Sequence, residues 1–117
     1  MEEYIVEFYC KENGEEPARI FIENLEAKMI AKILRVIEML EKNGPFVRMP
    51  YSEYLKNGIF EIRTKQGTNI ARVLYFFSVG KKIVLTNGFI KKTQKTPKRE
   101  IEIARMYKAD YERRCTK

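Results

Sequence analysis

An arginine stands inside the most apolar stretch of this 117-residue chain. Arg72 lies within residues 70–77, where its neighbours are Ile, Ala, Val, Leu, Tyr and Phe. A guanidinium keeps its proton, so a partly buried arginine must pair with a carboxylate or face an anionic ligand. Arg72 is therefore a candidate phosphate-binding residue. An ion pair with Glu61 is the alternative explanation, and the two are compatible when no substrate is bound.

Charged and apolar residues alternate within a second predicted strand. Period-two alternation places Glu61, Arg63 and Lys65 on one face. Phe60 and Ile62 fall on the other face. The charged face is either a solvated surface with cross-strand ion pairs or an anion-binding surface. In the second case Arg63 would hold a phosphate by two hydrogen bonds, and Glu61 or a lysine would move protons.

A basic segment follows the last predicted strand and leads into a helix. Its candidate catalytic and RNA-binding members are Lys91, Lys92, Thr93 and Lys95. Lysines, a hydroxyl and a helix N-terminus gathered in one place favour phosphate binding. Because a lysine-rich run alone is typical of a solvated loop, the prediction depends on the position of this run in the chain.

The residue types limit the available chemistry. The sequence has no histidine and no CxxC pair, Walker loop or GxGxxG motif after a strand, so we expect neither a metal nor a cofactor. Cleavage of an RNA phosphodiester needs activation of the 2′-hydroxyl, stabilisation of the added negative charge on phosphorus and help for the leaving oxygen. Arg and Lys side chains can supply the second of these, and a Lys or Glu with a shifted pKa can serve as acid or base.

Other side chains are candidates to hold the RNA itself. Tyr54 and Phe89 could stack on a base, although core packing is the commoner role of phenylalanine. Lys56 and Lys65 are further candidates for contacts with phosphates. These residues, together with the basic segment, would make the RNA-binding surface.

Positive charge is concentrated in the second half of the chain. Residues 1–55 hold 7 Lys or Arg against 11 Asp or Glu, whereas residues 56–117 hold 16 against 5. Such segregation suits a polyanionic ligand, because each phosphate that a protein neutralises releases condensed counterions. The alternative is that the cations only keep the surface soluble.

The length and composition indicate one globular domain, residues 1–117, with 44% hydrophobic residues available for a core. The longest apolar runs are far too short for a membrane span, and the N-terminus lacks the pattern of a secretory signal. We therefore expect a cytoplasmic protein without a membrane partner. The two cysteines, Cys10 and Cys115, make no disulfide framework and should stay reduced there.

The elements that must position these residues follow from periodicity and turn residues. The first strand is predicted over Tyr4–Cys10. Helical spacing then predicts two helices that start at Pro17, join near Leu25–Ala27 and end at Asn43-Gly44-Pro45. Residues 46–56 have no clear period and are expected to form a loop.

The rest of the chain is predicted to form a meander and a final helix. Three strands are predicted over Ile59–Lys65, Asn69–Ser78 and Lys82–Phe89, joined by short glycine-containing turns. Thr96 is the candidate N-cap of the last helix, with Pro97 at its first position. The order β-α-α-β-β-β-α, with a meander packed on helices, predicts an α+β fold.

Four sequence blocks follow one another in a specific order. They are Asn-Gly-Pro at 43–45, Leu-Lys-Asn-Gly-Ile-Phe-Glu-Ile-Arg at 55–63, Ala-Arg-Val-Leu-Tyr-Phe at 71–76 and Asn-Gly-Phe-Ile-Lys-Lys-Thr-Gln-Lys-Thr-Pro at 87–97, followed by Glu-Ile-Glu-Ile-Ala at 100–104. In this order they closely resemble the phage-derived HigB-like branch of the RelE/ParE toxin superfamily. The resemblance extends from the first strand to the last helix.

The resemblance implies a RelE-like fold, with helices packed on one side of a twisted antiparallel sheet and a concave basic site on the other. It implies a toxin that cleaves mRNA on the ribosome and is neutralised by an antitoxin with a helix-turn-helix domain. By matched position, Arg63 and Arg72 would contact phosphate, and Lys91 and Lys92 would flank the scissile group. Glu61 falls where related toxins carry a lysine, so either a base or a residue that orients Arg72 is expected there.

Two other functions stay open at this point. ParE-like members of the superfamily inhibit DNA gyrase without catalysis and lack the ribonuclease residues. The presence of Arg63, Arg72, Lys91 and Lys92 favours a metal-independent endoribonuclease over such an inhibitor. A nucleic-acid-binding module without turnover is the third hypothesis, which predicts salt-sensitive binding but no cleaved product.

Overall fold

The computed structural model describes residues 3–92 and 95–115 of the chain. Within these residues, three α-helices and one five-stranded sheet confirm the predicted α+β class. A short 3-10 turn at Gly44–Phe46 follows the second helix. In chain order the elements are β1 (Ile5–Phe8), α1 (Pro17–Glu23), α2 (Ala27–Asn43), β2 (Ser52–Lys56), β3 (Ile59–Gln66), β4 (Asn69–Ser78), β5 (Lys82–Ile90) and α3 (Lys98–Cys115).

The sheet has the strand order β1-β5-β4-β3-β2. Strands β2 to β5 form an antiparallel meander, as short connections require. Strand β1 joins the far edge and runs parallel to β5, so the predicted antiparallel sheet is mostly antiparallel, with this one parallel pair. In the chain, β1 is separated from β5 by helices α1 and α2 and by strands β2 to β4. No tight turn joins β1 to β5, so no turn forces these two strands to be antiparallel.

The segment that was expected to be a loop contains the edge strand β2. Ser52 lies opposite Ile62 of β3, and Glu53 lies opposite Glu61. Within β2 only Ser52 is fully buried, whereas Glu53 and Tyr54 are exposed. The strand therefore has no run of apolar residues that could predict it, because its pairing comes from backbone hydrogen bonds to β3. The observed order is β-α-α-β-β-β-β-α.

Helices α1 and α2 cover one face of the sheet, and both begin and end where the sequence predicts. The buried stripe of α2 has helical spacing and consists of Met29, Ile33, Val36, Ile37 and Leu40. Each of these side chains contributes about 2 kcal/mol relative to an exposed one. Leu34 of the same helix lies outside this stripe and is exposed. Helix α1 approaches β5 so closely at Gly88 that a β-carbon there would collide with the ring of Phe21.

Helix α3 packs on the opposite face of the sheet, so the expectation that helices lie on one side only is wrong. Its Ala104 and Tyr107 pack with apolar side chains from the strands, which include Ile59, Leu74, Phe76 and Val84. These strand residues alternate with those that face α2 and would be exposed without a second cover. Asn87 of β5 donates to the carbonyl oxygen of Glu100 at 3.3 Å, which ties the first turn of α3 to the sheet.

No helix within residues 3–92 and 95–115 combines the length and the apolar character that crossing a membrane requires. Of the two cysteines, Cys10 is a free thiol.

Candidate active site

A buried carboxylate and two guanidiniums meet in the middle of the sheet. Arg63 of β3 lies directly opposite Arg72 of β4, and Glu61 precedes Arg63 by two residues on the same strand. Because side chains alternate along a strand, all three project from the face that α3 partly covers. With Glu53 and Thr96, which contact them, these residues are called the Glu61 cluster below.

Glu61 is the centre of this cluster and is only 1% exposed. Its Oε2 atom accepts a hydrogen bond from Nη1 of Arg63 at 3.1 Å and lies 3.6 Å from Nε of Arg72. The ion pair between Glu61 and Arg72 that the sequence predicted is confirmed. A buried carboxylate would be costly alone, and here two cations offset its charge.

Arg63 bridges two carboxylates on neighbouring strands. Its Nη1 donates to Glu53 Oε1 at 2.5 Å as well as to Glu61. Glu53 and Glu61 are directly opposed across β2 and β3, an arrangement that would be repulsive without the guanidinium between them. Arg63 is therefore held in place while its side chain stays 24% exposed.

Arg72 is held more tightly than Arg63, with a side chain only 7% exposed. Its Nη1 donates to the carbonyl oxygens of Ala71 at 3.1 Å and Thr64 at 3.4 Å. Its buried Nε has no hydrogen-bond partner among the described residues. Burial lowers the pKa of Arg72 from its usual value, but a guanidinium remains charged at physiological pH.

Lys91 lies beside the arginines at the end of β5. Its backbone N–H donates to the carbonyl oxygen of Ile70 at 2.7 Å, which fixes the chain next to β4. Burial, followed by the positive charge of Arg72, lowers the pKa of the Lys91 ammonium. A lysine that releases its proton more readily is better suited to proton transfer near neutral pH. Lys92, the next residue, is exposed.

Thr96 has a different role from the predicted helix cap. Its Oγ1 donates to Oε1 of Glu61 at 2.6 Å, and α3 begins two residues later at Lys98. The second oxygen of Glu61 is thus also occupied. The hydroxyl satisfies a buried charge, which is a stronger demand than a helix end that is open to solvent.

Three depressions meet at Arg63, and each is named here by its position. The β2 pocket, of about 330 Å³, is lined by residues that include Tyr54, Lys56, Glu61, Arg63, Lys91 and Lys95. The lysine cleft, of about 740 Å³, is lined by residues that include Arg63, Asn69, Arg72, Lys91 and Lys92. The α2 groove, of about 660 Å³, is lined by residues that include Arg35, Tyr51, Arg63, Lys65, Ile70 and Arg72.

The structure brings most of the predicted site residues to these depressions. All five predicted catalytic residues line at least one of them. Of the predicted RNA-binding residues, Tyr54, Lys56 and Lys95 line the β2 pocket, and Lys65 lines the α2 groove. Tyr54 is 54% exposed, and its ring meets that of Phe60 edge-on at 5.0 Å.

Two predicted residues are not placed in this way. Phe89 lines none of the three depressions and packs in the apolar cluster beneath α3. The expected stacking of Phe89 on a base is therefore not favoured, because that ring is already used in packing. Thr93 lies outside the described residues.

Sequence reasoning missed several residues of the site. Glu53 was hidden in a predicted loop, although it lies opposite Glu61 once β2 forms. Arg35 and Tyr51 come from α2 and from the segment before β2, and only tertiary packing brings them to Arg63. The pattern of charges along α2 was the one available sign, since Lys28, Lys32 and Arg35 recur at helical spacing.

Comparison with known proteins assigns the chain to a family. The family model described as phage-derived protein Gp49-like (DUF891) matches residues 20–108, about three quarters of the chain. The matched range includes every residue of the Glu61 cluster, Lys91 and Lys92. This family is one of the RelE/HigB-like toxin families, so the resemblance found in the sequence is confirmed at that level. A search of curated proteins found no match.

Proposed function

The chain belongs to the phage-derived Gp49-like family, and from this premise we propose that it is the toxin of a type II toxin-antitoxin pair and cleaves mRNA on the ribosome. The family is associated with toxins of such pairs, which implies an antitoxin partner. The mRNA, the ribosome and a helix-turn-helix domain in the antitoxin are parts of the proposal.

One observation carries the nuclease activity. Two guanidiniums from neighbouring strands converge on one buried carboxylate, and both line an open cleft that also contains Lys91 and Lys92. Purely structural ion pairs do not need to face a cleft whose other charged groups are cations. Fixed cations in a partly desolvated site suit the trigonal-bipyramidal phosphorane that forms when RNA is cleaved.

The reaction begins with attack of the 2′-hydroxyl oxygen on the adjacent phosphorus. The O2′–P bond forms, the P–O5′ bond breaks, and the hydroxyl proton passes to solvent. Arg63 and Arg72 stabilise the additional negative charge on the phosphoryl oxygens. The products are a 2′,3′-cyclic phosphate and a 5′-hydroxyl.

Lys91 donates a proton to the departing 5′-oxygen in this scheme. Its lowered pKa makes the ammonium a stronger acid than an exposed lysine. Lys92 binds the next phosphate, because its exposed side chain lies at the same cleft. Lys56, Lys95 and Tyr54 guide the strand along the β2 pocket, where a base can stack on the exposed tyrosine ring.

Glu61 orients the arginines and does not act as the base. Both of its oxygens are engaged, one by Arg63 and Arg72 and the other by Thr96. A carboxylate with 1% exposure cannot reach a 2′-hydroxyl without giving up these contacts. Its charge instead keeps two guanidiniums close together that would otherwise repel each other.

Primer extension tests this function directly. The purified protein is incubated with an mRNA, with and without ribosomes, and in each case with and without its antitoxin. The proposal predicts cleavage inside the reading frame that requires ribosomes and stops when the antitoxin is added. Intact mRNA under all conditions, together with growth arrest in cells, would contradict the nuclease function and make DNA gyrase the next target to assay.

A further inference from the structure

The α2 groove is an apolar groove with a positively charged mouth. It lies between helix α2 and the hairpin of β3 and β4, and its volume of about 660 Å³ is typical of a small-ligand site. Its apolar lining comes from residues such as Ala31, Val36, Pro50 and Ile70. Its described lining includes five cations and no carboxylate, unlike the β2 pocket with Glu53 and Glu61.

The groove adjoins the lysine cleft, because Arg63 and Arg72 are among the lining residues of both. The backbone N–H of Arg63 donates to the carbonyl oxygen of Tyr51 at 2.9 Å, which fixes Tyr51 beside the cluster. Nζ of Lys32 donates to the carbonyl oxygen of Lys65 at 2.5 Å and joins α2 to the end of β3.

We propose that the α2 groove holds the nucleobase of the nucleotide next to the phosphate bound by Arg63 and Arg72. The proposal rests on the proposed function, because it takes that phosphate to be the scissile one. A nucleobase has flat apolar faces, and a nucleotide carries a phosphate at each side of its sugar. The apolar walls suit the base, and Arg35 and Lys65 at the mouth suit the following phosphate.

Tyr51 supplies the stacking surface of the groove. Tyr51 is 42% exposed although it lines a mainly apolar groove, so it is not packed away and is open to a ligand. Stacking of a base on an aromatic ring is tolerant of sequence. An acidic segment of the antitoxin would also find cations here. Arg63 and Arg72, which also line the lysine cleft, and the exposed Tyr51 favour RNA as the ligand of the groove. The test below distinguishes RNA from the antitoxin.

The test measures binding of an RNA that cannot be cleaved. A 2′-O-methyl tetranucleotide is titrated into the purified protein by fluorescence anisotropy, beside four versions that each lack one base but keep every phosphate. The variants are Tyr51→Ala and Arg35→Ala, and Lys28→Ala is the matched control. Lys28 is an exposed cation on the same helix but outside the groove. The proposal predicts that Tyr51→Ala weakens binding of the full tetranucleotide about tenfold.

One abasic version should bind weakly to the wild type and lose nothing more from Tyr51→Ala, since the stacking partner is already absent. Arg35→Ala should weaken all five RNAs, and Lys28→Ala should weaken none of them appreciably. This pattern without any ribosomal cleavage would reject the nuclease function and leave the base site standing. Equal losses for the full and all abasic RNAs would overturn the base site. Unchanged RNA binding with weaker antitoxin binding by the groove variants would overturn it in favour of an antitoxin surface.

Discussion

Two polar clusters lie beneath or beside α3, and they differ in what surrounds them. The first is the Glu61 cluster. The second, called the Tyr9 cluster, consists of Tyr9, Tyr107, Asp110 and Arg114. Tyr9 donates its hydroxyl to Oδ2 of Asp110 at 2.6 Å, its ring stacks on Tyr107 at 4.5 Å, and Nη2 of Arg114 lies 2.8 Å from the same oxygen of Asp110.

The members of the Tyr9 cluster contact one another. Arg114 and Asp110 are one helical turn apart on α3, and Tyr9 fastens that turn to the end of β1. None of its members lines any of the three depressions described above. The cations of the Glu61 cluster come from two strands and line open clefts. Both clusters contain arginine-carboxylate pairs, and they differ in whether their cations line an open cleft, which the proposed function requires.

The same chemical change should have unequal effects on stability in the two clusters. Glu61→Gln leaves the buried guanidinium of Arg72 without its carboxylate partner, whereas Arg63 keeps Glu53, and the change should cost about 3 kcal/mol of the free energy of unfolding. Asp110→Asn should cost less, because the Asp110 side chain is 19% exposed against 1% for Glu61, and water can replace its contacts. Urea denaturation of both variants measures the difference. Equal losses would mean that the buried ion pairs of Glu61 stabilise the fold no more than the partly exposed ion pair of Asp110 does.

Replacing Lys91 tests its proposed role as the proton donor. Lys91→Arg keeps the positive charge but raises the pKa of the proton donor, so cleavage should slow by about a hundredfold. In the wild type, activity should fall as pH rises through the lowered pKa of Lys91, since the ammonium form is the one that donates. Lys91→Arg should move this fall to higher pH. Single-turnover cleavage across a pH series tests both points, with Lys42→Arg on α2 as the matched control. An unchanged rate and pH profile in Lys91→Arg would mean that Lys91 acts only as a fixed positive charge.

The Tyr9 cluster should contribute a small, pH-dependent part of the stability. Burial, with help from the hydrogen bond to Asp110, raises the pKa of Tyr9 to about 12. An unfolded tyrosine ionises near pH 10. Between these two values the unfolded chain releases a proton that the folded chain keeps, so stability should fall as pH rises.

Tyr9→Phe removes this titration and should flatten the decline. Melting temperatures between pH 9 and pH 11.5 measure it, with Tyr54→Phe as the control at an exposed tyrosine. A decline as steep in Tyr9→Phe as in the wild type would show that other groups cause it.

Local patterns in the sequence predicted the central residues of the Glu61 cluster. Alternation along β3 put Glu61 and Arg63 on one face, and an arginine in an apolar run indicated a buried pair for Arg72. These conclusions needed only the neighbouring residues and one strand pairing. The bounds of α1, α2 and β4 followed equally well, because apolar spacing, proline and glycine mark them locally.

The parts that the sequence did not predict depend on contacts distant in the chain. Glu53 joins Arg63 only because the edge strand β2 pairs with β3, and its residues carry no apolar alternation. Thr96 does not cap α3 as predicted, because its hydroxyl donates to the buried carboxylate of Glu61, 35 residues away in the chain. The position of α3 on the second face follows from apolar residues on both sides of the central strands, which a single-strand pattern does not resolve.

Cleavage by matched arginine variants tests the central claim most directly. Wild type, Arg72→Ala and Arg114→Ala are compared by primer extension on an mRNA that is being translated, after circular dichroism and antitoxin binding confirm that each is folded. Removing a fixed cation from the transition state should slow cleavage by about 10²- to 10³-fold in Arg72→Ala. Arg114→Ala should keep the wild-type cleavage pattern. Equal cleavage by Arg72→Ala and wild type would contradict the assignment of the Glu61 cluster as the RNA-cleaving site.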